Sequence, residues 1–381
     1  MIKCMVKKRA TSNRKLKRHL KHIIRHRPLS VSESDLTEWE FNLIQQIKAK
    51  TSKLNKNNVT RTKAYYQFYC VYPEIHWALL GHLVSRNGGW NMTDLKGDLL
   101  PRLMTEAERE HFFLFLERGN WLIFQDVFPQ CLLYQHSLIN QKNLFYLLPY
   151  LNVSVFMEAI WNDFWKFRDC RKLAIAMVIN EQNYLENRVV LNKQFQETVL
   201  HTIEFKLYDA LRFNHIIFPK LSEVTGRPRI IGETLYQFAD LHKRIMIGIR
   251  LYDLLFQRNP VLQAILQWAS KHPHTGSRSD YWKDLFHPVN ESVPGTIYKR
   301  RTKHCKLRKD EPRIYSPPLK FAWKDIEHEE AEKGDWFNDF RILHYLDKKE
   351  IDTGGDIYDD YCNDLEKIEF AIIAKNAIFQ K

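Results

Sequence analysis

Residues 62–94 read TKAYYQFYCVYPEIHWALLGHLVSRNGGWNMTD. Aromatic and aliphatic residues dominate this stretch, without the strict alternation of a half-buried strand. One helix is expected from Thr60 to about Tyr72. Pro73 suits the first turn of the next helix, which is expected to end near Asn87. Gly88 would then supply a left-handed cap and, with Gly89, a tight turn. The stretch gathers His76, His82, Ser85, Arg86, Asn87, Asn91 and Asp94 beside bulky aromatics, which is more polar chemistry than packing requires.

Outward from this stretch, helix signals continue. Thr37 and Glu40 form a capping box ahead of an apolar stripe at Phe41, Ile44 and Ile47. Thr105 and Glu108 repeat the pattern and open a long apolar helix, which Pro129 is expected to interrupt or end. Ser154 can cap a helix through Trp161 and Trp165. Residues 169–187 and 191–213 read as further helices. A turn with Gly226, Pro228 and Gly232 precedes a long segment from Glu233 to Phe256, and Asn259-Pro260 starts another helix. With only 13 glycines in 381 residues, a Gly-rich all-β design is disfavoured. The expected fold is all-α, a bundle of about nine helices with a smaller C-terminal helical segment. Its parts are a basic, flexible arm at 1–32, a helical body at 33–271, an irregular connection with a basic loop at 272–320, and an acidic helical segment at 321–381.

Charge is unevenly placed. Residues 1–32 carry eleven Lys/Arg and no acid, and residues 299–309 carry seven and no acid. Residues 310–381 have a net charge of −8, although the whole chain is +13. The acidic end is expected to be solvated or to pair with KRRTKHCKLRK at 299–309. If such pairing is exposed, salt should loosen it. The arm could lie on nucleic acid or on an anionic membrane surface. No apolar run approaches the ~18 residues of a membrane span, so a cytoplasmic protein is expected. Six cysteines without any CxxC pair read as reduced, buried thiols.

Residues 57–97, NNVTRTKAYYQFYCVYPEIHWALLGHLVSRNGGWNMTDLKG, resemble the signature block of the YppC-like family, uncharacterised proteins of spore-forming bacteria. FFLFLERGNWLIFQDVFPQCLLY and AIAMVINEQNYLENRVV are similar to that family as well. The likeness covers roughly residues 35–290. It implies a cytoplasmic bacterial protein with a domain of unknown function, and it carries no activity, ligand or catalytic residue to transfer.

Three functions follow from the residues themselves. The leading one is a non-enzymatic binding or assembly protein. Arg86 and Asn87, beside the Gly88-Gly89 turn, would bind an anion or peptide through the guanidinium fork and backbone N–H groups, with Asn91 and Asp94 lining the site. The plainer alternative is that Arg86 pairs with Glu117 or Asp126 and the rest is turn chemistry. The second is an enzyme using His76, His82, Glu117 or Asp126 as acid–base groups. The third is a membrane or nucleic-acid factor acting through the arm. Glu181, near a core face, invites Arg61 or Arg188 as its partner. Only Glu108 and His111 fit a Glu-x-x-His motif, and HExxH, GxSxG and GxxxxGK[ST] are missing, so no metal or cofactor is expected. Asp352, Gly354 and Asp356 do not reproduce calcium-loop spacing.

Overall fold

The computed structural model describes residues 13–26, 32–202, 215–221, 228–293, 296–351 and 355–379. In chain order its helices are α1 (Asn13–His26), α2 (Glu38–Leu54), α3 (Asn58–Val71), α4 (His76–Asp94), α5 (Leu100–Leu103), α6 (Glu106–Ile139), α7 (Val155–Phe167), α8 (Cys170–Leu185), α9 (Lys193–Phe195), α10 (Leu241–Phe256), α11 (Asn259–Lys271), α12 (Leu319–Ala322) and α13 (Tyr358–Phe379). The chain divides into two units. The first comprises Met1–His82, Gly119–Arg188 and Glu327–Ile351; the second comprises Leu83–Arg118, Val189–Ile326 and Asp352–Lys381.

In the first unit the expected caps form. Thr37 Oγ1 accepts from Glu40 N at 3.3 Å while Glu40 Oε2 accepts from Thr37 N at 2.9 Å, satisfying two orphan donors of α2. Ser154 Oγ caps α7 through Phe156 N at 3.2 Å. Helix α8 is buried on every side from Leu173 to Asn180, as expected of a helix apolar all round. Trp161 stacks on Tyr134 and Phe145 at its flank. Where the sequence reads a mobile arm, residues 13–26 form α1 instead. Leu16 and Leu20, at i and i+4, are buried, and α1 packs on α7 and on the 3₁₀ helix Phe340–Asp347. Burial of two leucines, at about 1.5–3 kcal/mol each, outweighs the repulsion among its cations. Residues 1–12 and 27–31 of the arm lie outside the described residues.

The second unit departs from the all-α expectation. Strand β1 (His215–Leu221) runs antiparallel to β2 (Pro228–Thr234), with His215 opposite Thr234 and Ile217 opposite Gly232. The adjacent isoleucines within each of HIIFPKL and PRIIGET favour this pleated, half-buried ladder. A Cβ at Gly232 would stand 2.0 Å from the Ile216 carbonyl oxygen, so only glycine permits this approach. Helix α11 packs on β1 and α10 on β2. Four short strands make two further two-stranded pairings: β3 (Phe286–His287) beside β6 (Ile314–Tyr315), and β4 (Thr302–Lys303) against β5 (Lys306–Leu307). Residues 203–214 of the expected helix, the turn at Gly226, and Asp352 with Gly354 lie outside the described residues.

Two expected helix ends are absent. Helix α4 runs through Gly88 and Gly89 to Asp94, so there is no Gly-Gly turn. Trp90, Met92 and Thr93 are buried on that extension, which offsets the ~1 kcal/mol cost of each helical glycine. Pro129 lies inside α6. The ~3 kcal/mol penalty of an internal proline is offset there by buried Phe124, Phe128, Leu132 and Leu133.

The acidic end and the basic loop do pair, within the second unit. Glu369 of α13 is fully buried. Its oxygens accept from Tyr298 Oη at 2.8 Å, Arg301 N at 2.8 Å, Thr302 N at 3.1 Å and the Thr302 hydroxyl. Glu366 binds Arg300 and accepts from His304 N at 2.5 Å. Cys305 and Cys362 form a disulfide, and Cys170 is disulfide-bonded too, whereas the sequence reads reduced thiols. His304 and Cys305 occupy the turn between β4 and β5 with φ of 49° and 55°, left-handed values that strain non-glycine residues. The disulfide and the Glu366 bond hold that turn in place. Because the central carboxylate is buried, salt should do little. Limited proteolysis of α13 is expected to be the same at low and high salt in the intact protein. Glu369→Ala is expected to cost about 3 kcal/mol by urea denaturation, since it strands buried donors.

Candidate functional site

Helix α4 carries most of the candidate polar residues, and each meets a different fate. In the first unit, His76 opens the helix, and burial pushes its imidazole down to about 4, so it is neutral at pH 7. His82 is buried, with Nδ1 2.9 Å from the Thr62 carbonyl and its ring 4.8 Å from Tyr66. In the second unit, Arg86 is buried, and its guanidinium sits 4.3 Å from the Trp268 ring and 5.7 Å from Trp90. It donates to the His272 carbonyl at 2.8 Å. Asp280 is a carboxylate partner within its own unit, at 4.0 Å. Burial pushes Asp280 up, but His274, Arg86 and Thr275 outweigh it and hold it below the carboxylate range. Asn87 donates to Ile217 O and accepts from Ile217 N, both at 2.9 Å, so its amide stands in for a strand along the edge of β1. Glu117 is buried on α6.

Asn91 and Asp94 reach a different centre. Arg278 donates from Nε to Asp94 Oδ1 at 2.9 Å and from Nη2 to Oδ2 at 2.7 Å, a two-point fork. The same Nη2 donates to Asn91 Oδ1 at 3.2 Å, and Nη1 to the Tyr281 hydroxyl at 2.7 Å. Burial works against the charge of Arg278, but Asp94 outweighs it, so the guanidinium stays protonated. A cavity of about 40 Å³ lies beside this fork. Three carboxylates line it, Asp94, Asp98 and Asp364, and so do Arg278 and His215. Leu99, Leu365, Ile368, Phe286 and Tyr361 form apolar and aromatic walls. His215 Nε2 is 2.9 Å from Asp364 Oδ2, and its Nδ1 is 2.7 Å from Thr234 Oγ1. Burial pushes the Asp364 carboxyl up, but His215 and Lys367 more than offset this and keep it ionised. Asp98 binds Arg301 at 2.5 Å and Arg102 at 3.0 Å.

The sequence singled out Asp94 and Asn91 but not Arg278, His215 or Asp364. Arg278 lies in a segment read as an irregular connection, and Asp364 in a tail read as solvated. The available signal was the cap-like run Ser277-Arg278-Ser279-Asp280, which folds into a short 3₁₀ turn.

The first unit holds a second polar centre around buried Asp126 and half-buried Glu181. Asp126 Oδ2 accepts from Gln130 at 3.0 Å and from Asn180 at 2.5 Å, whereas its Oδ1 is buried without a hydrogen bond. Glu181 accepts from Trp77 Nε1 at 3.1 Å and from Gln182 at 3.2 Å, in place of the expected Arg61 or Arg188. Burial pushes Asp126 up to about 7 and Glu181 up to about 8; the Asp335 charge adds to the rise at Asp126, and the Asp126 charge to that at Glu181. Among the described residues, no group of three or more His, Cys, Asp or Glu side chains is placed to hold a metal ion. No helix there is long and apolar enough to cross a membrane.

A family described as a protein of unknown function (DUF2515) matches residues 53–353. The chain belongs to this family. It is also similar to the uncharacterised protein YppC of Bacillus subtilis (strain 168), 37% identical over 297 residues, covering 78% of this chain and 83% of that protein. No solved structure matches it. As in the rest of DUF2515, function must be argued from the site.

Asp126 and Glu181 make stability depend on pH. Both hold protons more tightly folded than unfolded. Their contribution is therefore full below about pH 4 and is lost as pH rises to about 7–8. Denaturant titrations at pH 5 and pH 8 are expected to show the intact protein weaker at pH 8. Asp126→Asn should remove much of that difference, about 2.7 kcal/mol at most for this residue over that pH interval.

Proposed function

We propose that this chain is a non-enzymatic binding protein whose second unit takes a small organic ammonium group in the cavity beside Asp94. One observation carries the reading: three carboxylates, Asp94, Asp98 and Asp364, line the cavity, and Arg278 is the one guanidinium or ammonium among its described lining residues. Each carboxylate has about four acceptor positions, and its protein partners fill only some of them. A donor-rich cation suits the remainder, and Tyr361 and Phe286 add aromatic faces that attract ammonium groups. At roughly 10–15 Å³ per water site, the cavity has room for about three waters, or for a methylammonium-sized head.

A second reading rests on the chain of contacts from the Thr234 hydroxyl through His215 to Asp364. Hydroxyl, imidazole and carboxylate in that order are the parts of an activated nucleophile. Under this reading the protein cleaves an activated ester such as p-nitrophenyl acetate, and Thr234→Val abolishes the cleavage.

Binding is tested by thermal denaturation in methylammonium chloride against sodium chloride at equal ionic strength. Methylammonium at ten times its Kd is expected to add about 1.4 kcal/mol of stability. Leu365→Phe, which fills the cavity, should remove that gain. Equal stability in the two salts overturns the proposal.

A further inference from the structure

We propose that the outward face of α1 is a docking surface for the phosphate backbone of duplex nucleic acid. Arg14, Arg18, Lys21 and Arg25 recur at i, i+4, i+7 and i+11, which aligns them in one stripe about 16 Å long. Lys15 and His22 flank the stripe, and all six side chains are exposed. The helix contains no acid. Among the described residues, Arg14, Lys15, Arg18, Lys21 and Arg25 take part in no ion pair. Like charges four apart destabilise a helix. This helix is held chiefly by buried Leu16 and Leu20, on the face opposite the three arginines, while Lys17 and Lys21 reach back to within 5.3 and 5.8 Å of the Phe340 ring. A surface that keeps such repulsion is complementary to a polyanion, whose binding would relieve it.

The placement of the apolar residues decides between two kinds of polyanion. A helix that binds membranes by lying in the interface needs an apolar face to insert. Here Leu16 and Leu20 are spent on α7 and the 3₁₀ helix Phe340–Asp347, and Ile24 alone is substantially exposed, at 44%. What remains outward is charge without an apolar wedge, and three of the four stripe residues are arginines, whose forks match phosphate oxygens. Sequence-independent phosphate contact is the expected mode, since no base-reading element accompanies the stripe among the described residues. Helix α1 lies outside the family match at residues 53–353, so this surface owes nothing to what the family implies.

The test is fluorescence anisotropy of a labelled DNA duplex of about two helical turns, ~20 base pairs, with the full-length protein. Neutralising about four phosphates should give a slope near −3.6 in log K against log salt. Affinity would then fall about a hundredfold between 50 and 200 mM salt. The triple variant Arg14→Gln/Arg18→Gln/Arg25→Gln should bind at least tenfold more weakly. Its melting temperature should be unchanged or higher, because repulsion is removed while Leu16 and Leu20 stay. Arg14→Lys/Arg18→Lys/Arg25→Lys keeps the charge and should retain most of the binding. Unaltered affinity in the glutamine variant overturns the proposal, as does salt-independent binding. Sedimentation with phosphatidylserine vesicles without any duplex binding also overturns it, in favour of a membrane surface.

Discussion

The fork between Arg278 and Asp94 is the constraint on which the second unit depends. A buried guanidinium must have every donor satisfied, and Arg278 meets this by drawing on α4 through Asp94 and Asn91 and on α13 through Tyr361. Three segments far apart in sequence are thereby held to one point. The cavity beside that point follows from the same geometry, because planar, hydrogen-bonded groups cannot fill space as densely as interdigitated aliphatic side chains. A carboxylate left without the fork would gain a proton or water, and the fork left without the carboxylate would be an uncompensated buried charge.

The same logic recurs at the other end of α13. Glu369 and Glu366 gather the backbone N–H groups and cations of the basic loop, and the Cys305–Cys362 bond closes the arrangement. Opposite charges attract over long range, but attraction alone would leave a loose, salt-sensitive contact. Burial of Glu369 makes the contact specific: a desolvated carboxylate needs donors at fixed positions, and only one register of residues 298–302 provides them.

The two polar centres differ in what burial does to them. Around the cavity, hydrogen bonds from His215 and Lys367 hold the Asp364 carboxyl below its ordinary value in spite of its burial. Around Asp126 and Glu181 the neighbours are mostly neutral amides and indoles, so desolvation prevails and both carboxyls move toward neutral pH. Such displaced acids are frequent in functional sites and also in structural networks, and the pH dependence of folding reports on them directly.

Local chemistry was legible in the sequence by itself. The capping boxes at Thr37 and Thr105, the cap at Ser154 and the family appear as read, and of the two readings of the acidic end, pairing with the basic loop is the one that forms. These signals depend on residues within a few positions of one another, on net charge, or on resemblance along the chain. Only tertiary structure decided that α4 continues through Gly88-Gly89, that α6 absorbs Pro129, and that HIIFPKL and PRIIGET pair as strands. In each case burial of several large side chains, worth a few kcal/mol, exceeds a local preference of about 1–3 kcal/mol. The partners of Arg86, Asp94 and Glu181 were likewise beyond reach, because a buried charge is answered by whatever the folded chain brings within hydrogen-bond distance. For Arg86 and Asp94 that answer comes from residues more than 180 positions away.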